Sequence, residues 1–195
     1  MKKLLRNFAL VMILGLLLLS AGCGDKGDYY DLSSWTPPVD AAFTSFVNSK
    51  TTPSSVAVWL FYNYTYQRST SVKSPYNFWK TKIGDCSECA ALVSYVSHQH
   101  GYQTWQIYIT YVENEAHRLC VYKIGSLYYY TSKQNCYQAP GWSSFAAVVA
   151  DYDIYHTTYT VQDFVVTDWY GNVVVQPKNP DLMKSRGLYD MTENN

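Results

Sequence analysis

The sequence predicts an α+β fold, with helical segments first and an antiparallel run of strands after them. Three observations carry this expectation. Apolar residues recur at helical spacing at Val56, Leu60 and Tyr64, and again at Cys89, Leu92, Val93 and Val96. After Gly101 the period changes to two, with Trp105, Ile107, Ile109 and Tyr111 alternating with polar partners. Gly125-Ser126 then stands between two apolar and aromatic runs, as a hairpin turn does.

Each element has a local reason. Thr52-Pro53 reads as a helix N-cap followed by proline in the first turn, so a helix is expected over about 53–67. A polar stretch over 68–74 and Pro75 end it. Asp85-Cys86-Ser87-Glu88 has the form of a capping box, with Glu three residues after the cap, and Gly101 supplies the stop after His100. Leu119, Val121 and Tyr122 mark a second strand beyond the polar loop at 113–115, and Leu127-Tyr128-Tyr129-Tyr130 a third. A short helix is expected over 144–150 and a further strand over 159–167.

Composition bounds the function. The 195 residues suit one ordinary domain with tails, and 48% hydrophobic residues against 15% charged exclude a disordered chain. Lys2, Lys3 and Arg6, an apolar run over 8–19 and the small residues Ser20-Ala21-Gly22 before Cys23 describe a secretory signal. The run falls short of the ~20 residues of a membrane-spanning helix. Leu19-Ser20-Ala21-Gly22-Cys23 resembles the lipobox of bacterial lipoproteins, although Ser20 stands where Leu is commoner. The resemblance implies cleavage before Cys23, a diacylglycerol on its thiol and acylation of the new amino terminus. Two or more acyl chains give stable anchoring. The expected organisation is a signal peptide over 1–22, a lipidated Cys23 with a linker to 40, a domain over 41–176 and a polar tail over 177–195. Removing the three basic residues of the signal from the 15 leaves 12 against 15 acidic ones, a formal −3. A weakly acidic, exported, lipid-anchored chain has no electrostatic case for binding nucleic acid.

Cysteine and histidine placement points to chemistry. Cys86 opens the best-defined helix, where unpaired N–H groups and the positive end of the dipole favour a thiolate. A cysteine nucleophile also needs a base, and His117, heading the strand downstream, is the candidate. His98 and His100 stand at the far end of the same helix, about 18 Å away at ~1.5 Å per residue. Together with His156, expected in a loop, they read as surface residues.

The segment from Gly84 to Leu92, the Gly101-Tyr102 helix end and Ala116-His117 resemble the transglutaminase-like superfamily of papain-like cysteine enzymes. The resemblance implies a nucleophile at a helix N-terminus packed on an antiparallel sheet, with Cys86 as nucleophile and His117 as general base. The family's usual third residue, an Asp, falls where this chain has Thr131 or Ser132; a hydroxyl orients an imidazole but stabilises its charged form less than a carboxylate does. The expected reaction is acyl transfer from an amide or peptide bond, such as that of a cell-wall peptide, through a Cys86 thioester. It requires no metal or organic cofactor. Other readings stay open at this level: Cys86, Cys89, Cys120 and Cys136 can pair as disulfides in an oxidising compartment, Cys86-x-x-Cys89 can serve thiol–disulfide exchange, and the same fold can act as a non-catalytic binding or scaffold module.

Overall fold

The computed structural model describes residues 31–68 and 72–185. The expected signal peptide over 1–22, the lipidation candidate Cys23 and the end of the tail lie outside the described residues. Among the described residues no helix is long and apolar enough to cross a membrane.

Among the described residues, four helices and two short strands precede the main sheet. They are α1 (Ala41–Ser49), α2 (Pro53–Asn63), β1 (Thr65–Tyr66), α3 (Pro75–Thr81), β2 (Ile83–Gly84) and α4 (Cys86–Gln99). Then come β3 (Thr104–Tyr111), β4 (Ala116–Ile124), β5 (Leu127–Ser132), β6 (Asn135–Trp142), α5 (Phe145–His156), β7 (Val161–Thr167), β8 (Val173–Val175) and α6 (Pro180–Ser185). The six-stranded sheet runs β6-β5-β4-β3-β7-β8 and every neighbouring pair is antiparallel. The α+β expectation holds.

Thr52 caps α2 with Pro53 in its first turn, as expected, and forms a reciprocal box with Ser55. The helix stops at Asn63 rather than 67. Tyr64 is extended, and Thr65 and Tyr66 pair in parallel with Ile83 and Gly84. This small ladder fixes the strand that feeds α4. Helix α4 ends in left-handed Gly101, whose N–H bonds His98 O at 3.0 Å while that of Tyr102 bonds Ser97 O at 3.2 Å.

The sheet is covered on both faces. Leu92, Val93 and Val96 of α4 join Phe43 and Phe46 of α1, Leu60 of α2 and Phe78 of α3 in one core, which Cys120 of β4 completes from the sheet. On the other face Val148, Val149 and Tyr152 of α5 pack on Ile107, Ile109, Leu119 and Val121. Strand β3 is therefore buried on both faces and not half-buried, with Gln106 and Thr110 among its buried residues. Its polar alternation marks the face toward α4, not solvent.

The meander is also incomplete. After β6 the chain crosses one face as α5 and returns as β7 beside β3. Strand β6 is one sheet edge, which is why it tolerates Pro140. The linker and tail boundaries are less sharp than expected. Leu32 is buried, Trp35 lies edge-on to Tyr95 at 4.8 Å, and Met183 of α6 is buried beside Tyr108 and Val165. The Asp163 carboxylate holds the start of the tail by accepting from Lys178 N at 3.0 Å and Asn179 N at 2.7 Å.

Gly84 has no room for a side chain. A Cβ there would stand 2.9 Å from the Phe78 ring and 3.1 Å from Glu88 Cβ, both fully buried. Gly84→Ala is expected to destabilise the fold by about 1–3 kcal/mol in urea denaturation, whereas Gly101→Asn, at an open left-handed position, costs less than about 1 kcal/mol.

Candidate active site

The first turn of α4 is built from two buried carboxyl groups. Asp85 caps it, accepting from Ser87 N at 2.8 Å, and Glu88 reaches back to accept from Asp85 N at 2.8 Å. Glu88 also accepts from Lys73 N at 3.3 Å and faces Lys73 Nζ at 3.9 Å. Cys86, the first residue of the helix, is 2% exposed. Because α4 runs antiparallel to β3, its N-terminus meets the end of the sheet where β3 finishes and β4 begins. The Cys86 thiol lies close enough to the hydroxyls of Tyr64, Tyr111 and Tyr152 to push their pKa values up, adding to the larger effect of burial.

His117 stands at the same end of the sheet, on β4 opposite Ile109. Its Nε2 and the Ser132 Oγ are 2.9 Å apart, and its ring stacks in parallel on Tyr152 at 5.1 Å. The structure thus chooses between the two hydroxyl residues. Ser132 shares the face of His117, whereas Thr131 pairs with Cys120 and Cys136 and so faces the α4 side. Ser132 and Tyr111 lie near the Tyr152 hydroxyl and hold its pKa down against the larger upward push of burial. Cys86 and His117 therefore share Tyr111 and Tyr152 as a common neutral wall.

All four cysteines of the described residues are free thiols. Cys120 accepts from Ser94 Oγ at 3.2 Å, and Cys136 lies 3.4 Å from Tyr122 OH. Cys120 and Cys136 are two strands apart, about 10 Å, beyond the ~7 Å reach of a disulfide. Burial pushes the Cys89 thiol well up and the Cys120 thiol to about 12, which keeps both protonated.

A surface cavity of about 660 Å³ opens beside His117. Tyr66, Tyr111, Tyr152 and Tyr159 form much of its wall, to which Lys133 and His156 also contribute. Arg68 and Glu115, also in the wall, form a two-oxygen pair at 3.1 and 2.9 Å. His156 is the residue sequence reasoning passed over. It is not in a loop, because α5 continues past Ala150 to His156. There His156 Nε2 lies 3.6 Å from Asp151 Oδ2, which accepts from Tyr130 OH at 2.6 Å. The spacing of Val148, Val149 and Tyr152 was the available signal for the longer helix. His98 and His100 are not plain surface residues either: His98 stacks on Trp169 at 3.8 Å, and His100 Nε2 lies 2.9 Å from Val47 O.

Among the described residues no group of three or more His, Cys, Asp or Glu side chains is placed to hold a metal ion. Comparison with protein-family models and with curated proteins finds no match to this chain.

The Glu88 carboxyl is pushed up to about 7, chiefly by burial and next by the Asp85 carboxyl beside it. A carboxyl whose folded pKa exceeds its unfolded value of ~4.3 stabilises the fold below that lower value. The contribution is lost as pH rises toward 7, because the unfolded chain ionises first. The full loss, reached once pH passes 7, amounts to at most about 4 kcal/mol. Glu88→Gln, which keeps an acceptor for Asp85 N, is expected to flatten the fall in stability between pH 4.5 and 7. An unchanged slope in denaturation against pH would mean that Glu88 is already ionised beside Lys73.

Proposed function

We propose that this chain is an envelope-anchored, cysteine-dependent enzyme of papain-like, transglutaminase-like fold that acts on an amide or peptide bond. The observation that carries the reading is the His117–Ser132 hydrogen bond beside the cavity, at the sheet end where Cys86 opens α4. The anchor is the acylated Cys23 in membrane lipid, and the domain acts on a peptide, such as a cell-wall peptide, outside the cytoplasm.

With Nε2 committed to Ser132, Nδ1 is the nitrogen that serves the thiol. His117 takes the Cys86 proton as sulfur attacks the carbonyl carbon, and the new C–S bond gives a tetrahedral oxyanion. The backbone N–H of Cys86, at the positive end of α4, is one donor to that oxyanion. Collapse breaks the C–N bond, and His117 returns the proton to the leaving amine. Water then resolves the thioester in a protease or amidase, or an amine resolves it in cross-linking. No cofactor takes part in these steps.

Two other readings meet specific observations. A redox Cys86-x-x-Cys89 pair needs one accessible attacking thiol, and both cysteines are buried, Cys89 with its thiol pushed up. A binding module on the same fold is favoured by the burial of Cys86 and by a hydroxyl where the family has a carboxylate.

Incubating the full chain in detergent with a peptide mixture and hydroxylamine separates these readings, since an acyl-enzyme yields hydroxamates. Cys86→Ala is expected to lower their formation at least ~10³-fold, and Ser132→Ala about tenfold in kcat with KM unchanged. Cys89→Ala retains activity. Hydroxamate formation that survives in Cys86→Ala would remove the enzyme reading.

A further inference from the structure

Lys133 is held in a conformation that its residue type disfavours. It has φ 53° in the two-residue Lys133-Gln134 turn between β5 and β6, where Asn or Gly is the usual choice. The strain falls directly after Ser132, the partner of His117. Its ammonium lies over the Tyr66 ring at 4.5 Å, on the wall of the cavity. An aromatic face fixes a cation without cancelling its charge. Among the described residues no carboxylate pairs with Lys133. The acid in the cavity wall, Glu115, is taken by Arg68. The wall is thus positive at Lys133 in a chain whose mature form is net acidic.

We infer that the cavity binds a carboxylate of its peptide ligand through Lys133 Nζ, with the Tyr66 ring as platform. The ligand class is a peptide carrying a free α-carboxylate or an acidic side chain near the bond that faces His117. The carboxylate supplies the counter-charge that the fold withholds, and strained backbone at a binding turn is expected where the side chain's position matters more than local stability. The inference rests on the proposed function for the identity of the ligand as a peptide, but not for the binding itself.

The test uses the full chain in detergent and four labelled peptides. Ala-Ala-Ala is compared as free acid and as C-terminal amide, and Ala-Glu-Ala with Ala-Gln-Ala, both as amides. Binding is measured by fluorescence anisotropy to Cys86→Ala, which separates recognition from turnover. The expected result is at least tenfold tighter binding of one acid over its neutral partner. The first pair reports a terminal carboxylate and the second a side-chain one. Adding Lys133→Asn or Lys133→Gly is expected to abolish the preference, and Lys133→Arg to keep most of it. Asn and Gly both accept the left-handed backbone, so a melting temperature equal to or above that of the parent shows that the loss is not misfolding. Equal binding of acid and neutral peptides, or a preference that survives Lys133→Asn, would overturn the inference. Acid-selective binding without hydroxamate formation by the unsubstituted chain would leave this site standing and remove the enzyme reading instead.

Discussion

The arrangement depends on how the first turn of α4 is closed. Asp85 and Glu88 are both buried, and each satisfies a backbone donor that water cannot reach. A helix N-terminus inside a protein leaves N–H groups without partners, and an unmade hydrogen bond there costs about 1–3 kcal/mol. The capping box removes that cost and fixes where Cys86 stands. Gly84 makes it possible, since only a residue without a side chain lets the strand pass the Phe78 ring on its way into the helix. Thr65 and Tyr66 then tie that strand to the end of α2.

From this fixed turn the two faces of the sheet divide the work. The α4 face is a packing surface, and its cysteine, Cys120, is inert because burial keeps it protonated. The α5 face carries His117, Tyr152 and, at the helix end, His156. Cys86 belongs to the first layer but stands at the rim of the sheet, where residues of the second layer come near it. A site at such a rim needs no gap in the core. That is how a fold buried on both faces of its central strand can still present a histidine to a cavity.

Strong local signals made the first half of this arrangement legible. The box at Asp85 and Glu88, the stop at Gly101, the cap at Thr52 and the turn at Gly125 each follow from one or two residues acting on adjacent backbone, and each stands where expected. The strand β6 was not legible, because Lys133-Gln134 carries no turn residue and Pro140 reads as a strand breaker. Its existence depends on an edge position that only the folded sheet defines. His156 was hidden for a related reason: the polar Asp151 and Asp153 interrupt the α5 pattern, yet Asp151 is held there by Tyr130 from β5. The choice of Ser132 over Thr131 follows from strand parity, which becomes known once the register with β4 is fixed.

The same parity explains why a hydroxyl is an acceptable partner for His117. The position is 5% exposed and walled by Tyr152 and Tyr111, whose own hydroxyls are kept protonated by burial. An ionised carboxylate placed there would lose its hydration and gain a single imidazole in exchange, a poor trade in a buried setting. Ser132 gives the imidazole its hydrogen bond without that desolvation. The carboxylate that does approach a histidine in this region, Asp151, is partly exposed, takes a 2.6 Å bond from Tyr130 and serves His156. Around His117 the nearby carboxylate, Asp151, is kept where water and a phenol solvate it, and the groups that face the ring are neutral hydroxyls. A site so composed holds its histidine by geometry more than by field, which makes the Ser132 hydroxyl, set directly before the left-handed Lys133, the contact that fixes where the His117 ring stands.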